Sequence, residues 1–250
     1  MFKKQKILGV IPARGGSKGI KNKNLRKIGD HSLVEWALFT AINNKHIDRI
    51  IVSSDSDDIV NQSNQYGDFA PFLRPEELSE DDTPSLPVFL HALEWAENID
   101  QCHYDYIVVL EPPCPFRLSK HIDIGLDVAL KNNASSVVSV VKVSDSHPIR
   151  IKKLKPSGEI IPFCMDEPEG LRRQDQEPAF IRNTAVYVFN RQTIISNKLW
   201  GDQPFGFEMD KDLYGINIDD PFDLMKASFF YEKIKEEGRL EFICSFLEIK

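Results

Sequence analysis

The sequence has few cysteines, no long apolar run and no excess of positive charge. Its four cysteines, at positions 102, 114, 164 and 244 of 250 residues, never fall at the C-x2–4-C spacing of a zinc site. They form no disulfide framework, and a chain of this length buries enough apolar surface to fold without one. We read them as reduced thiols in a cytoplasmic protein. No stretch approaches 18 consecutive apolar residues, so no membrane span is expected. After Lys3, Lys4 and Lys6 the apolar run covers only 7–11 and stops at Pro12 and Arg14, too short for a secretory signal. With 31 Lys and Arg against 38 Asp and Glu, the formal net charge is −7, which argues against a general nucleic-acid binder. That balance still leaves room for a local basic site holding a small phosphorylated molecule. Internal repeats, low-complexity linkers, a Walker A loop and a G-x-G-x-x-G fingerprint are all missing.

What is present is an alternation of strands and helices. Residues 7–11 (ILGVI) read as a strand buried on both faces. A Gly- and Lys-rich loop follows over 13–30. Ser32 and Glu35 have capping-box spacing, and Leu33, Trp36, Ala37, Thr40 and Ala41 recur at helical intervals behind them. Residues 49–53 read as a second strand and 55–66 as a second helix. Thr83 and Pro84 stand as N-cap and first residue of a third helix, whose apolar stripe is Leu86, Phe89, Leu90, Leu93 and Ala96. A strand over 106–110, a helix over 120–132 and a strand over 136–143 continue the pattern. Such alternation predicts a mostly parallel sheet covered on both faces. Ligands of such sheets bind beyond the carboxyl ends of the strands.

After Val143 the pattern changes. Residues 149–163 carry the turn Lys155-Pro156-Ser157-Gly158 between two short apolar alternations, which predicts a β-hairpin arm. Residues 182–190 read as a strand, 215–218 as a final short strand, and Pro221 opens a helix through about 236. Residues 240–249 are apolar at several positions and fit either a strand or a short helix. The fold class is α/β: one domain over 1–250 with a β-rich insertion at 144–185.

The loop ARGGSKGIKNKN, 13–24, stands directly after the first strand. Gly15, Gly16 and Gly19 let backbone N–H groups approach a ligand, and consecutive N–H groups form an anion nest. Arg14, Lys18, Lys21 and Lys23 place four cations within ten residues, enough to neutralise a triphosphate. The plain alternative is a solvated basic loop, which the position straight after a buried strand disfavours. In the C-terminal third, Asp220 and Asp223 have a purely architectural reading as N-cap and helix-dipole acid around Pro221. Asp219 has no such role.

The run IPARGGSKGIKNKNL resembles the signature of the acylneuraminate cytidylyltransferase family. Further blocks resemble that family in order: IVSSD at 51–55, LRPEEL at 73–78 followed by Asp81, Asp82 and Thr83, and LEPPCPFR at 110–117. SVVS at 136–139, His147-Pro148, Arg173-Gln174 with Phe180 and Asn183, and INIDDPFD at 216–223 complete the series. The resemblance implies a Rossmann-like nucleotide-binding domain of nucleotide-diphospho-sugar transferase type. It also implies a homodimer that exchanges the 144–185 arm. The implied reaction is transfer of CMP from CTP to the anomeric hydroxyl of a nonulosonic, sialic-like acid, with Mg2+ as cofactor and pyrophosphate released.

By position, Ala13, Arg14, Gly15, Gly16, Ser17, Lys18, Lys23 and Asn24 would surround the CTP phosphates. Arg14 and Lys23 would carry the charge of the leaving pyrophosphate, and Arg74 would belong to the nucleotide site. Asp219 matches the second aspartate of a D-x-D pair that holds Mg2+. Two departures stand out. The first aspartate of that pair is Asn217 here, neutral but still able to coordinate through its amide oxygen. The glutamine expected near the acceptor sugar is Glu111, followed by Pro113-Cys114. Arg173 is the candidate partner for the acceptor's carboxylate, because guanidinium matches carboxylate bidentately. Two rivals stay open: activation of another acid sugar such as 3-deoxy-octulosonate, which the loop over 14–24 fits less well than the acylneuraminate pattern, and a non-catalytic nucleotide-binding homologue, which Glu111 and Asn217 keep alive.

Overall fold

The computed structural model describes residues 5–143, 146–210 and 214–238. The segment 240–249 lies outside the described residues. β1 (Ile7–Pro12) runs between β4 (Arg49–Ser53) and β5 (Tyr106–Val109), parallel to both. β9 (Phe180–Asn190) lies antiparallel beside β5, and beyond it come β6 (Ser136–Lys142) and β10 (Pro204–Met209), parallel to each other. The sheet order is therefore β10-β6-β9-β5-β1-β4, and within it β9 opposes the other five.

Helices cover both faces, which is why the central strands are continuous apolar runs rather than alternations. α1 (Leu33–Ile42) and α4 (Ser119–Asn132) press Val34, Leu38, Ile122 and Leu126 onto one face, against Ile7, Ile11, Val52 and Val108. α2 (Asp57–Asn64) adds Ile59 on that side. α3 (Ser85–Asp100) packs Phe89, Leu93 and Ala96 on the other face, against Leu8, Val10, Ile51, Ile107 and Phe189. The short α5 (Arg191–Ile195) contributes Ile194 there. α1 opens as its spacing predicts. The Ser32 hydroxyl accepts from the Glu35 N–H, and the Glu35 carboxylate accepts from the Ser32 N–H at 2.6 Å.

Two expectations need correction, and one strand is not read from the sequence. α3 starts one residue later than predicted, because Pro84 takes the N-cap position and the Thr83 hydroxyl donates instead to the Glu77 carbonyl at 3.2 Å. Residues 215–218 form no strand. The open edge of β5 is already taken by β9, so Ile218 makes a single ladder-like bond, its N–H to the Pro113 carbonyl at 3.0 Å. The alternation there serves burial: Ile218 is inserted in a third cluster with Ile20, Trp36, Phe116 and Tyr231. Finally, 204–209 is the edge strand β10, although Pro204 and Gly206 disguise it. Proline is tolerated at the first position of an edge strand, and Phe207 and Met209 turn inward.

The loop after β1 contains a small hairpin of β2 (Lys27–Ile28) and β3 (His31–Ser32). Its turn residue Gly29 has φ 61°, and a Cβ there would sit 2.1 Å from the Tyr231 ring. Tyr231 belongs to α6 (Pro221–Glu236), so this turn seats the last described helix on the N-terminal loop. β7 (Lys152–Leu154) and β8 (Ile160–Pro162) form the expected hairpin as a separate two-stranded sheet. At its base, His147 is buried, with Nε2 2.9 Å from the Glu177 carbonyl and Nδ1 accepting from the Ile149 N–H. Leu154, Ile160 and Phe163 on the arm are exposed by 74%, 66% and 56%. Among the described residues, no helix is long and apolar enough to cross a membrane.

α4 carries a titratable lock. His121 is buried, and its Nδ1 accepts from the Leu118 N–H at 3.0 Å, so the ring is held neutral. Burial pulls its pKa down to about 4. Unfolded histidine titrates near ~6.5, so the unfolded chain binds this proton first as pH falls. The neutral ring therefore stabilises the fold fully above about pH 6.5 and loses that contribution on the way down to about pH 4, on the order of 3 kcal/mol in all. Urea unfolding at about pH 7.5 and about pH 4.5 should show wild type losing ~2–3 kcal/mol more than His121→Asn. Equal losses would mean that His121 does not couple folding to pH.

Candidate active site

The site grows from the carboxyl ends of β1, β4 and β5. As β1 ends, the Ala13 N–H still bonds the Ser53 carbonyl at 2.9 Å. Asp55, just past β4, then takes the Gly15 N–H at 2.8 Å and Arg74 Nη2 at 3.4 Å. The buried Asn24 ties the loop from inside, its amide donating to the Arg14 carbonyl at 2.9 Å. Gly19 passes so close to the 216–220 segment that a Cβ would lie 2.3 Å from the Asp219 carbonyl oxygen. Any side chain there would force the two segments apart.

A cavity of about 430 Å3 opens where these segments meet. The structure brings Arg14, Ser17, Lys18, Lys23, Asn24, Arg74, Glu111 and Asp219 together around it, joined by Asp81, Thr83, Ser85 and Pro113. Ala13, Gly15 and Gly16 belong to the loop but do not line the cavity, and the Gly15 N–H is engaged by Asp55. The side chain of Arg173 lies outside the described residues.

Each cation on the cavity wall has a carboxylate partner. Arg14 Nη1 and Lys18 Nζ reach the two oxygens of Asp81 at 2.9 and 2.8 Å. Lys18, with Arg14 behind it, holds the Asp81 carboxyl below the usual carboxylate range. Lys23 Nζ donates to Asp219 Oδ1 at 3.1 Å and to the Ile218 carbonyl at 3.0 Å. Arg74 is buried, with Nε on the Ser79 hydroxyl at 3.1 Å; burial pulls its pKa down against the pull of Asp55. In the sequence Asp81 stands only as part of an acidic block; its meeting with two loop cations comes from the tertiary fold.

Glu111 leaves β5 at the cavity floor, half-buried, and burial pushes its carboxyl pKa up against the opposing pull of Arg117 and Lys23. The fully buried Arg117 fixes this stretch, donating to the Glu111 carbonyl at 2.6 Å and to the Ala185 carbonyl at 2.7 Å. Cys114 is inert here: it is buried, and burial raises its thiol pKa to about 11. Asp220 and Asp223 are architectural, as the D-D-P-x-D spacing suggests. Asp220 Oδ1 accepts from the Asp223 N–H at 2.8 Å, and Asp223 accepts back from the Asp220 N–H.

Among the described residues, no group of three His, Cys, Asp or Glu side chains is placed to hold a metal. A Mg2+ ion needs fewer, since it takes one or two carboxylates and completes its shell with phosphates and water. Asp219, two-thirds exposed beside the basic glycine loop, fits that need. Asn217 is turned otherwise. Its Oδ1 accepts from the Thr184 hydroxyl at 3.0 Å, and its Nδ2 donates to Asp219 Oδ2 at 2.6 Å.

A mostly parallel sheet with a basic glycine loop and a facing carboxylate at its carboxyl edge defines a nucleotide-handling class of protein. The chain belongs to the cytidylyltransferase family, which it matches over residues 8–236, and it is accordingly a nucleotidyltransferase. It is 28% identical over 233 residues to the post-translational flagellin modification protein B of Campylobacter coli, covering 93% of this chain and 96% of that protein. It is also 28% identical over 223 residues to the CMP-N,N'-diacetyllegionaminic acid synthase of Legionella pneumophila, covering 87% and 93%. The N-acylneuraminate cytidylyltransferase of Escherichia coli is 30% identical over 231 residues, which is 91% of this chain and 52% of that longer protein. Among solved structures, a CMP:2-keto-3-deoxy-manno-octonic acid synthetase complexed with CTP superposes with a TM-score of 0.66 over 91% of this chain and 99% of that one. Its sequence identity of 15% makes this a likeness of fold.

Asp81 occupies two of the cations on the cavity wall, Arg14 and Lys18. Asp81→Ala should therefore tighten binding of inorganic tripolyphosphate several-fold in calorimetry at low salt, with the gain shrinking as salt screens the loop. Weaker binding would place Asp81 on the ligand's side of the interaction.

Proposed function

We propose that this protein transfers CMP from CTP to the anomeric hydroxyl of a nonulosonic acid and releases pyrophosphate. The observation that carries this reading is the meeting of Arg14, Lys18 and Lys23 with Asp219 and Glu111 around one cavity at the carboxyl edge of the sheet. The acceptor hydroxyl attacks the α-phosphorus of CTP while pyrophosphate departs on the opposite side. In such a displacement, catalysis is mainly in-line positioning and charge stabilisation. Arg14 and Lys18 take the terminal phosphates once Asp81 has been displaced. Lys23, anchored by Asp219, faces the charge that develops on the leaving group.

Mg2+ would be held by Asp219 together with phosphate oxygens, and when bound it neutralises triphosphate charge. Glu111 faces the acceptor. When ionised it only accepts hydrogen bonds, so it suits a hydroxyl or amide N–H of the sugar and disfavours its carboxylate. The names of the relatives, which include legionaminic, acylneuraminic and pseudaminic acid enzymes, support an acid sugar of this class. The exposed Leu154, Ile160 and Phe163 support covering of the 144–185 arm by a second copy of the chain.

The direct test is incubation with CTP, Mg2+ and, separately, N-acetylneuraminic, legionaminic, pseudaminic and 3-deoxy-octulosonic acids. Pyrophosphate and the CMP-sugar are both measured. The expected result is turnover with a nine-carbon acid and little with 3-deoxy-octulosonate. CTP binding without release from any acid would overturn the reading in favour of a non-catalytic homologue.

Lys23→Ala should cost about 10²–10³-fold in turnover, as expected for removing a charged stabiliser, with little loss of stability. Near-normal turnover would remove Lys23 from the mechanism. Glu111→Gln should reorder the acids while leaving CTP affinity unchanged; a change confined to CTP affinity would place Glu111 on the nucleotide side.

A further inference from the structure

Thr184 adopts φ 57°, in the left-handed region. A β-branched residue is out of place there, and such strain persists only where the surroundings enforce it. The surroundings are on both sides. Asn183 is buried, accepting from the Ser139 hydroxyl at 2.6 Å and donating to the Tyr214 carbonyl at 2.9 Å. The Ala185 carbonyl takes the buried Arg117. The register of β9 against β6 shifts at this point, between Val138 and Val140. Glycine would sit here without strain, so the presence of threonine calls for a use of its hydroxyl.

That use is visible in the contacts. Thr184 Oγ1 donates to Asn217 Oδ1 at 3.0 Å, Asn217 Nδ2 donates to Asp219 Oδ2 at 2.6 Å, and Lys23 Nζ donates to the other Asp219 oxygen at 3.1 Å. Four side chains thus run in line from the bulge in the sheet to the cavity wall. An amide suits the second place because it accepts from a hydroxyl and donates to a carboxylate at once. An aspartate at 217 would set two carboxylates against each other.

We propose that Thr184 is a positioning residue. Through Asn217 it fixes the Asp219 carboxylate, and through Asp219 the Lys23 ammonium, in the geometry that the cavity needs. This rests on the reading that Lys23 and Asp219 act on CTP. It also makes Asn217 a bridge between two side chains, its amide oxygen committed to Thr184.

The test compares Thr184→Gly with Thr184→Ser. Glycine relieves the strain and removes the hydroxyl, so the melting temperature should hold or rise. Meanwhile kcat should fall by about 10- to 100-fold, as for other partners that orient a ligating carboxylate. KM for CTP should move much less. Serine keeps the hydroxyl and should restore kcat. A merely structural role predicts the opposite order, with glycine the best residue at this φ.

A second readout needs no turnover. The two protons of the Asn217 side-chain amide should have well-separated NMR shifts in wild type and in Thr184→Ser, because one is bonded to Asp219. They should converge in Thr184→Gly. Wild-type kcat in Thr184→Gly, or an unchanged separation, would overturn the proposal. A wild type that turns over no acid while the amide shifts behave as described would sink the functional reading and leave the positioning chain standing.

Discussion

The contact between Lys23 and Asp219 joins the two stretches from which the site is built, 196 residues apart in sequence. Its own energy is modest, since a partly exposed ion pair contributes about 0–1 kcal/mol. What clamps the stretches is apolar: Ile218 is fully buried among Ile20, Trp36, Phe116 and Tyr231. Burying one such side chain contributes ~1.5–3 kcal/mol, several times the ion pair. The cluster therefore supplies the adhesion and the pair supplies the orientation. Gly19 and Gly29 allow it, since a Cβ at either would collide with the Asp219 carbonyl or the Tyr231 ring.

The same logic runs through the charges. Arg14 and Lys18 meet Asp81, Lys23 meets Asp219, and Arg74 meets Asp55. In a chain of net charge −7, the basic loop is thereby partly balanced from within: Arg14 and Lys18 share Asp81, and Lys23 has Asp219. On the proposed function, a triphosphate would exchange for Asp81 at cations that the ion pairs already order, without first ordering long side chains. Electrostatic stabilisers of this kind are effective because little reorganisation is left for the moment of reaction. The arrangement is uneven. Asp219 is anchored by the neutral amide of Asn217 as well as by Lys23, whereas the ion-pair partners of Asp81 are the cavity cations Arg14 and Lys18 themselves.

Local signals were the legible part of this protein. Buried apolar runs placed β1, β4 and β5, the S-x-x-E spacing placed the start of α1, and the turn at 155–158 placed the hairpin. The place of the basic glycine loop at the cavity was legible because its glycines and cations are neighbours in sequence, directly after β1. What depended on distant neighbours was not. Ile216 and Ile218 alternate like a strand, yet β5, which leads to the Pro113 carbonyl that Ile218 meets, already pairs with β9. Pro204 and Gly206 hid an edge strand whose evidence is its pairing with β6. Asp81 meets Arg14 across 67 residues, and Thr184 meets Asn217 across 33. Threonine favours strands, so nothing local announces a left-handed residue inside β9.

The two departures from the family pattern are linked through Lys23. Where the resemblance leads one to expect aspartate at 217 and glutamine at 111, this chain carries asparagine and glutamate. One negative charge is removed beside Asp219 and one is added at the end of β5. Glu111 and Asp219 oppose each other, and both are drawn to Lys23. A second carboxylate at 217 would add to the repulsion already felt by the half-buried Glu111, whose burial disfavours its charge. Neutral Asn217 avoids that cost and gains two hydrogen bonds that an ionised aspartate could not make together, because it has no proton to donate. The anionic surroundings of Lys23 are thus kept in number but shifted from position 217 to Glu111 at the end of β5, the residue assigned to the acceptor in the proposed function.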